Sequence, residues 1–165
     1  MNGVAKHLIE ALKDLTKLHE RFNGLAKEKA EAVKKSEMKT LDEVLKRESA
    51  LIQELSACEK KRQIATSDWL HRQGLVKENV TVEEMIPYLE DEEGDELRFW
   101  QQRLLEEIRL WKEQNELNEQ LIHESLRFVN MSLDAFQPKQ SENYARPNRG
   151  HSYAEERRSV FDSKA

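Results

Sequence analysis

From Val4 to Val33 apolar side chains return every three or four residues: Val4, Leu8, Leu12, Leu15, Phe22, Ala26, Ala30 and Val33 share one narrow face, with His19 as its polar intruder. At about 100° per residue this is the spacing of an amphipathic α-helix, and Leu18 and Leu25 widen its flank. Two more such periods follow. Met38, Leu41, Leu45, Ile52, Leu55 and Leu70 form the next stripe, with Val44, Leu51, Cys58, Ala65 and Trp69 beside it. Ser36 is placed to cap the start of that helix and Gly74 to end it. The third period runs from Asp95 to Phe136, roughly 63 Å of helix. Its main face holds Leu97, Trp100, Leu104, Ile108, Trp111, Ile122, Leu126, Val129, Leu133 and Phe136, interrupted by Asn115 and Asn118. A second stripe, Leu110, Leu117, Leu121 and Phe128, lies about 120° away. Together the two faces cover nearly half the circumference, more than packing against two neighbours requires.

Breakers are scarce: the 165 residues include 5 Gly and 3 Pro, with 36% charged and 7% aromatic side chains, a helix-rich composition of single-domain size. The expected fold is therefore all-α, an elongated antiparallel helical bundle of three long helices across residues 1–136, followed by a flexible polar tail over 137–165. Residues 75–94 read as a connector. They hold a Thr81 to Glu84 capping box, a short turn of helix cut by Pro87, and an acidic run from Glu90 to Glu96. That run suits the first turn of a helix, whose free N–H groups favour negative charge; it lacks the alternating acids of a calcium loop.

Charge and chemistry exclude several functions. A net charge of -5 supplies no excess of cations for a phosphate backbone, so no nucleic-acid partner is expected. Cys58 stands alone, Lys6 and Glu10 occupy the place of a signal peptide's apolar stretch, and no apolar run approaches about 18 residues. A cytoplasmic protein with no membrane insertion is expected. His7, His19, His71, His123 and His151 show no ligand spacing, and Gln120 stands where a di-metal bundle would need a Glu before His123. No nucleophile and base pair assembles either, so neither catalysis, a cofactor nor a metal is expected. Cys58 reads as a small apolar filler and His19 as a half-buried core histidine. Glu59 and Arg62 can pair at i, i+3, while Asn115 and Asn118 suit a role in register or partner choice.

The surplus stripe on the third helix suggests a surface for an amphipathic helix of another protein, with self-association through that helix as the alternative. Beyond it the tail carries Lys139, Arg146, Arg149, Arg157, Arg158 and Lys164 against Glu142, Glu155, Glu156 and Asp162. Val160 and Phe161 stand out in it as a possible short docking motif.

The segment Asn115-Glu-Leu-Asn-Glu-Gln-Leu-Ile-His-Glu-Ser-Leu-Arg-Phe-Val-Asn-Met-Ser-Leu133 resembles the signature segment of FlgN-type flagellar export chaperones. Leu41 to Arg62, with Glu59-Lys-Lys-Arg62, is similar to that family's second helix, and Arg158-Ser-Val-Phe-Asp-Ser-Lys-Ala165 to the tails of its bacillus-type members. The resemblance implies a chaperone, not an enzyme, that holds the C-terminal helical segments of flagellar hook-associated proteins unpolymerised before type III export. It also implies delivery to a membrane protein of the export gate. The residues placed for cargo are Leu117, Leu121, Ile122, Leu126, Phe128, Val129, Leu133 and Phe136, with Val160 and Phe161 for tail docking.

Overall fold

The structure, a computed structural model, describes residues 3–136, apart from the side chain of Val4. The tail at 137–165, with Val160 and Phe161, lies outside these residues. Among the described residues the chain is entirely helical: α1 spans Gly3–Lys34, α2 Met38–Arg72, α3 Val82–Met85 and α4 Asp91–Phe136, with a 3₁₀ turn at Ile86–Tyr88 between α3 and α4. The α-helices number four: beside the three long ones, the Thr81 to Glu84 box starts the short turn of helix expected before Pro87. The Thr81 hydroxyl accepts from the Glu84 N–H at 3.3 Å, and the Glu84 carboxylate accepts from the Thr81 N–H at 3.0 Å. Residues 3–126 belong to one compact unit, and a second begins at Arg127, through which α4 continues to Phe136.

In the first unit α1 is covered on two flanks. Arg21 pairs with Glu54, and further along α1 Glu28 and Lys29 pair with Arg47 and Glu48, lower on α2, so the two helices are antiparallel. Lys13 with Glu96, Glu20 with Arg103 and Asn23 with Glu107 rise together, so α4 runs parallel to α1. Coverage from both sides explains why α1 buries Leu8, Ile9, Ala11, Leu12, Leu15, Leu18, Phe22, Leu25 and Ala26, an arc wider than one stripe. Even Thr16 is fully buried, its hydroxyl donating to the Leu12 carbonyl at 2.7 Å. A buried hydroxyl is tolerated when it is bonded in this way.

Two core clusters result. The first gathers Leu8, Ile9 and Leu12 with Ala65, Trp69, Leu70, Met85 and Leu97, and the second Leu18, Phe22 and Leu25 with Val44 and Leu51. Leu75, Val80, Val82 and Leu89 pack against the first, so residues 75–94 contribute to the core as well as joining helices. On α2 the buried face is the one expected to lie beside the main stripe: Val44, Leu51, Ala65 and Trp69 are buried, while Met38, Leu45 and Ile52 are exposed. Both faces of α2 are apolar, and of the main stripe Leu70 is buried and Leu55 packs on the second cluster.

The helix ends also depart from expectation. Ser36 does not cap α2; Glu37 precedes that helix without a side-chain cap bond. Ser36 instead adopts φ 56°, with its N–H bonded to the Val33 carbonyl and the Glu37 N–H to the Ala32 carbonyl. This is a Schellman ending of α1. Gly74, at φ 68°, ends α2 by the same pair of bonds, to His71 and, through Leu75, to Leu70. α4 starts at Asp91 rather than Asp95, because Asp91, Glu92 and Glu93 all favour its first turn and the Gly94 N–H bonds to the Glu90 carbonyl at 2.9 Å.

One polar side chain seats α4 on α1. Asn118, 2% exposed, donates through Nδ2 to the Ala26 carbonyl at 2.8 Å and accepts from Gln114 Nε2 at 3.0 Å. The expected register role falls to Asn118, whereas Asn115 is only half-buried.

A left-handed backbone strains any residue with a Cβ, so Ser36→Gly should raise unfolding stability by about 0.5–1 kcal/mol, the relief exceeding the extra freedom glycine gives the unfolded chain. Asn118→Ala should lower it by about 1–3 kcal/mol through loss of a buried hydrogen bond. Urea unfolding of the two variants beside the parent checks both.

Candidate functional site

The first half of α4 uses its apolar face inside the molecule. Leu97 is fully buried, Trp100 and Leu104 pack on the first core cluster, and Trp111 packs on the second with its ring edge-on to Phe22 at 6.4 Å between centroids. Past Asn118 the face opens. Among the residues expected to hold a partner, Leu121 and Ile122 are half-buried, while Leu117 is 53% and Leu126 56% exposed. In the second unit Phe128, Val129, Leu133 and Phe136 are all exposed, together with Met131, which the stripe arithmetic passed over. Large apolar side chains exposed at this density exceed ordinary surface scatter.

Within the first unit this surface has a defined groove. Leu110 and Leu117 of α4 and Glu20, Asn23, Gly24 and Lys27 of α1 line an open depression of about 450 Å³. Its α1 wall was not foreseen. The signal for it was Gly24, a glycine in an exposed helix interior where it costs roughly 0.5–1 kcal/mol relative to alanine. A Cβ built on Gly24 would meet nothing within 4 Å, so no internal contact demands glycine there. Asn23 ties the wall to α4, donating from Nδ2 to the carboxylate of Glu107 at 2.6 Å and to its carbonyl at 3.0 Å.

The charged groups of this body are mostly surface pairs. Glu59 and Arg62 form the expected i, i+3 pair, with bonds of 2.6 to 3.1 Å, and the Arg62 guanidinium holds the Glu59 carboxyl below its usual value. Cys58 packs against the second core cluster as the small filler expected. His19 is half-buried near Phe22, at 6.0 Å between ring centroids, and its Nδ1 is buried with no hydrogen-bond partner in the protein. Burial lowers its pKa below the usual 6.5, opposed by the Glu107 charge. The unfolded chain therefore takes up this proton first, so stability is fully present above about pH 6.5 and falls as the pH drops below it. His19→Gln should flatten the dependence of unfolding stability on pH between about 7 and 5, as followed by denaturant titration at a series of pH values.

Chemically, the groove offers apolar side chains set among charged and amide ones. Among the described residues no helix is long and apolar enough to cross a membrane. A model of the FlgN protein family matches residues 1–150. The chain is 33% identical over 162 residues to the uncharacterized protein YvyG of Bacillus subtilis (strain 168), covering 98% of this chain and 99% of that one. No solved structure matches it. With the family pattern running through all four helices and the relative aligned almost end to end, the chain belongs to the FlgN family of flagellar export chaperones.

Proposed function

We propose that the protein binds the C-terminal helical segments of flagellar hook-associated proteins in the cytoplasm and keeps them from polymerising before type III export. Family membership supports a flagellar export chaperone that binds flagellar substrate proteins. The observation that carries the finer reading is the exposure of Leu117 and Leu126, with Phe128, Val129, Leu133 and Phe136 beyond them on the same helix. Segments that polymerise through apolar helical stripes are sticky for the reason that makes them good cargo: each Leu or Phe taken out of water contributes about 1.5–3 kcal/mol before the costs of ordering. Leu121 and Ile122, half-buried, form the rim where a bound helix meets the body.

Delivery completes the reading. The loaded chaperone docks at a membrane protein of the export gate, and Val160 and Phe161 of the tail serve that contact or close over cargo. Export then needs release, and a surface that works by helix-in-groove contact without a covalent step permits rapid exchange.

Replacing Leu117, Leu121 and Phe128 together by Ala should abolish co-purification of a hook-associated protein while circular dichroism stays unchanged. Cargo binding that survives the triple replacement would show the surface to be wrongly assigned. A concentration-independent dimer in sedimentation that binds no hook-associated C-terminal peptide would favour the other use of the same stripe, a coiled-coil scaffold joined through α4.

A further inference from the structure

α4 ends at Phe136, two residues before Pro138, a residue type that helices stop short of. Its last turns keep large apolar side chains in water: Phe128 is 70% and Phe136 86% exposed, and Val129, Met131 and Leu133 are exposed as well. Between Phe128 and Phe136 the one charged residue is Asp134. Further along the chain, Tyr153, Ala154, Val160 and Phe161 fall within about 120° of one another at helical spacing, with Arg157 among them and Glu155, Glu156 and Asp162 outside that arc. An arginine inside an apolar arc lays its stem along apolar surface and keeps its head in water. The segment thus carries the pattern of a short amphipathic helix, the kind of ligand that the end of α4 is read to hold.

We infer that, with no cargo bound, the chain's own segment from Tyr153 to Phe161 covers Phe128, Val129, Leu133 and Phe136, and that cargo has to displace it. The inference rests on the reading of α4 as the cargo site and adds how that site is kept when empty. Reach does not limit it. The stretch from Gln137 to Ser152 spans up to roughly 50 Å when extended, while Phe128 and Phe136 lie roughly 12 Å apart along the helix. Tethering also makes the encounter intramolecular, at an effective concentration on the order of millimolar, so a short apolar face suffices. A second copy of this chain is a poorer occupant. Counted from Ile122, the main stripe runs for about two heptads to Phe136, short of the three or four that mark a coiled coil, parallel or antiparallel. A site covered in this way has its apparent affinity reduced by the fraction that is open, a threshold that a client with a longer apolar stripe than the tail's passes and a weak one does not.

The test uses the full chain and a synthetic amphipathic peptide with one leucine stripe and Gln and Ser elsewhere. The double replacement Val160→Ser and Phe161→Ser should bind this peptide roughly fivefold more tightly than the parent chain does. A photo-crosslinking benzoylphenylalanine in place of Phe161 should join residues 128–136 of its own chain, as read by mass spectrometry on mixed isotope-labelled and unlabelled chains, and saturating peptide should suppress the crosslink. Equal affinity of the two chains, an absent crosslink, or weaker binding by the double replacement, as closure over cargo would give, would each overturn the inference. If the peptide is then still lost on replacing Leu117, Leu121 and Phe128 together by Ala, α4 stays the cargo site. Peptide binding to neither chain would overturn both. Crosslinks that join labelled to unlabelled chains would make a second copy the occupant and overturn the inference as well.

Discussion

Removal of α1 from water on two flanks is the constraint on which the rest of the unit depends. Leu8, Leu12 and Ile9 meet Trp69 and Leu97 in one cluster, and Phe22 and Leu25 meet Val44 and Leu51 in the other. Each large side chain buried in this way contributes about 1.5–3 kcal/mol, whereas most ion pairs along the helix borders are exposed, Lys29 with Glu48 being half-buried, and an exposed pair is worth about 1 kcal/mol or less. Packing therefore holds α2 and α4 onto α1. The polar contacts that matter are the few inside: Asn118 on the Ala26 carbonyl and Asn23 on Glu107 fix where along α1 the last helix sits.

The same economy explains the site. A helix with apolar residues on nearly half its circumference cannot cover them all with one neighbour on each side. On α4 the main face is consumed as far as Trp111, and Asn118 marks the last point at which α1 engages it through a buried bond. Beyond that point Leu126, Phe128, Leu133 and Phe136 are exposed among the described residues. The groove at Gly24 and Lys27 opens beside the exposed Leu117, just before this stretch.

Much of this was legible in the residues. Long 3.6-residue periods with few breakers specify three long helices, and residue type and spacing alone place the capping box at Thr81, the Gly74 ending and the surplus face of α4. What could not be placed had one cause in common, dependence on a partner distant in sequence. On α2 two adjacent apolar faces compete, and spacing does not say that α1 takes Val44 and Leu51 and leaves Leu45 and Ile52 in water. Val82, Met85 and Leu89 are isolated apolar residues in a polar stretch, and only the approach of Trp69 and Leu97 makes them core. Ser36 carries a residue type that favours caps, yet the turn needs a left-handed residue at that point. The α1 wall of the groove was missed likewise, since Asn23, Gly24 and Lys27 acquire meaning only opposite Leu110 and Leu117.

The parallel run of α4 beside α1 has a consequence for how the chain matures. α1 and α2 are neighbours in sequence and can zip together as a hairpin soon after both have left the ribosome, a local event of low contact order. The contacts of α4 with α1 span 84 and 92 residues, and have to wait. Trp69 gains its lid when Leu97 arrives, and Phe22 gains its edge-on partner when Trp111 does. Leu117 to Leu126 emerge after both. During vectorial synthesis the α1–α2 hairpin can thus form first, and the register of α4 is fixed only when Asn118 reaches the Ala26 carbonyl.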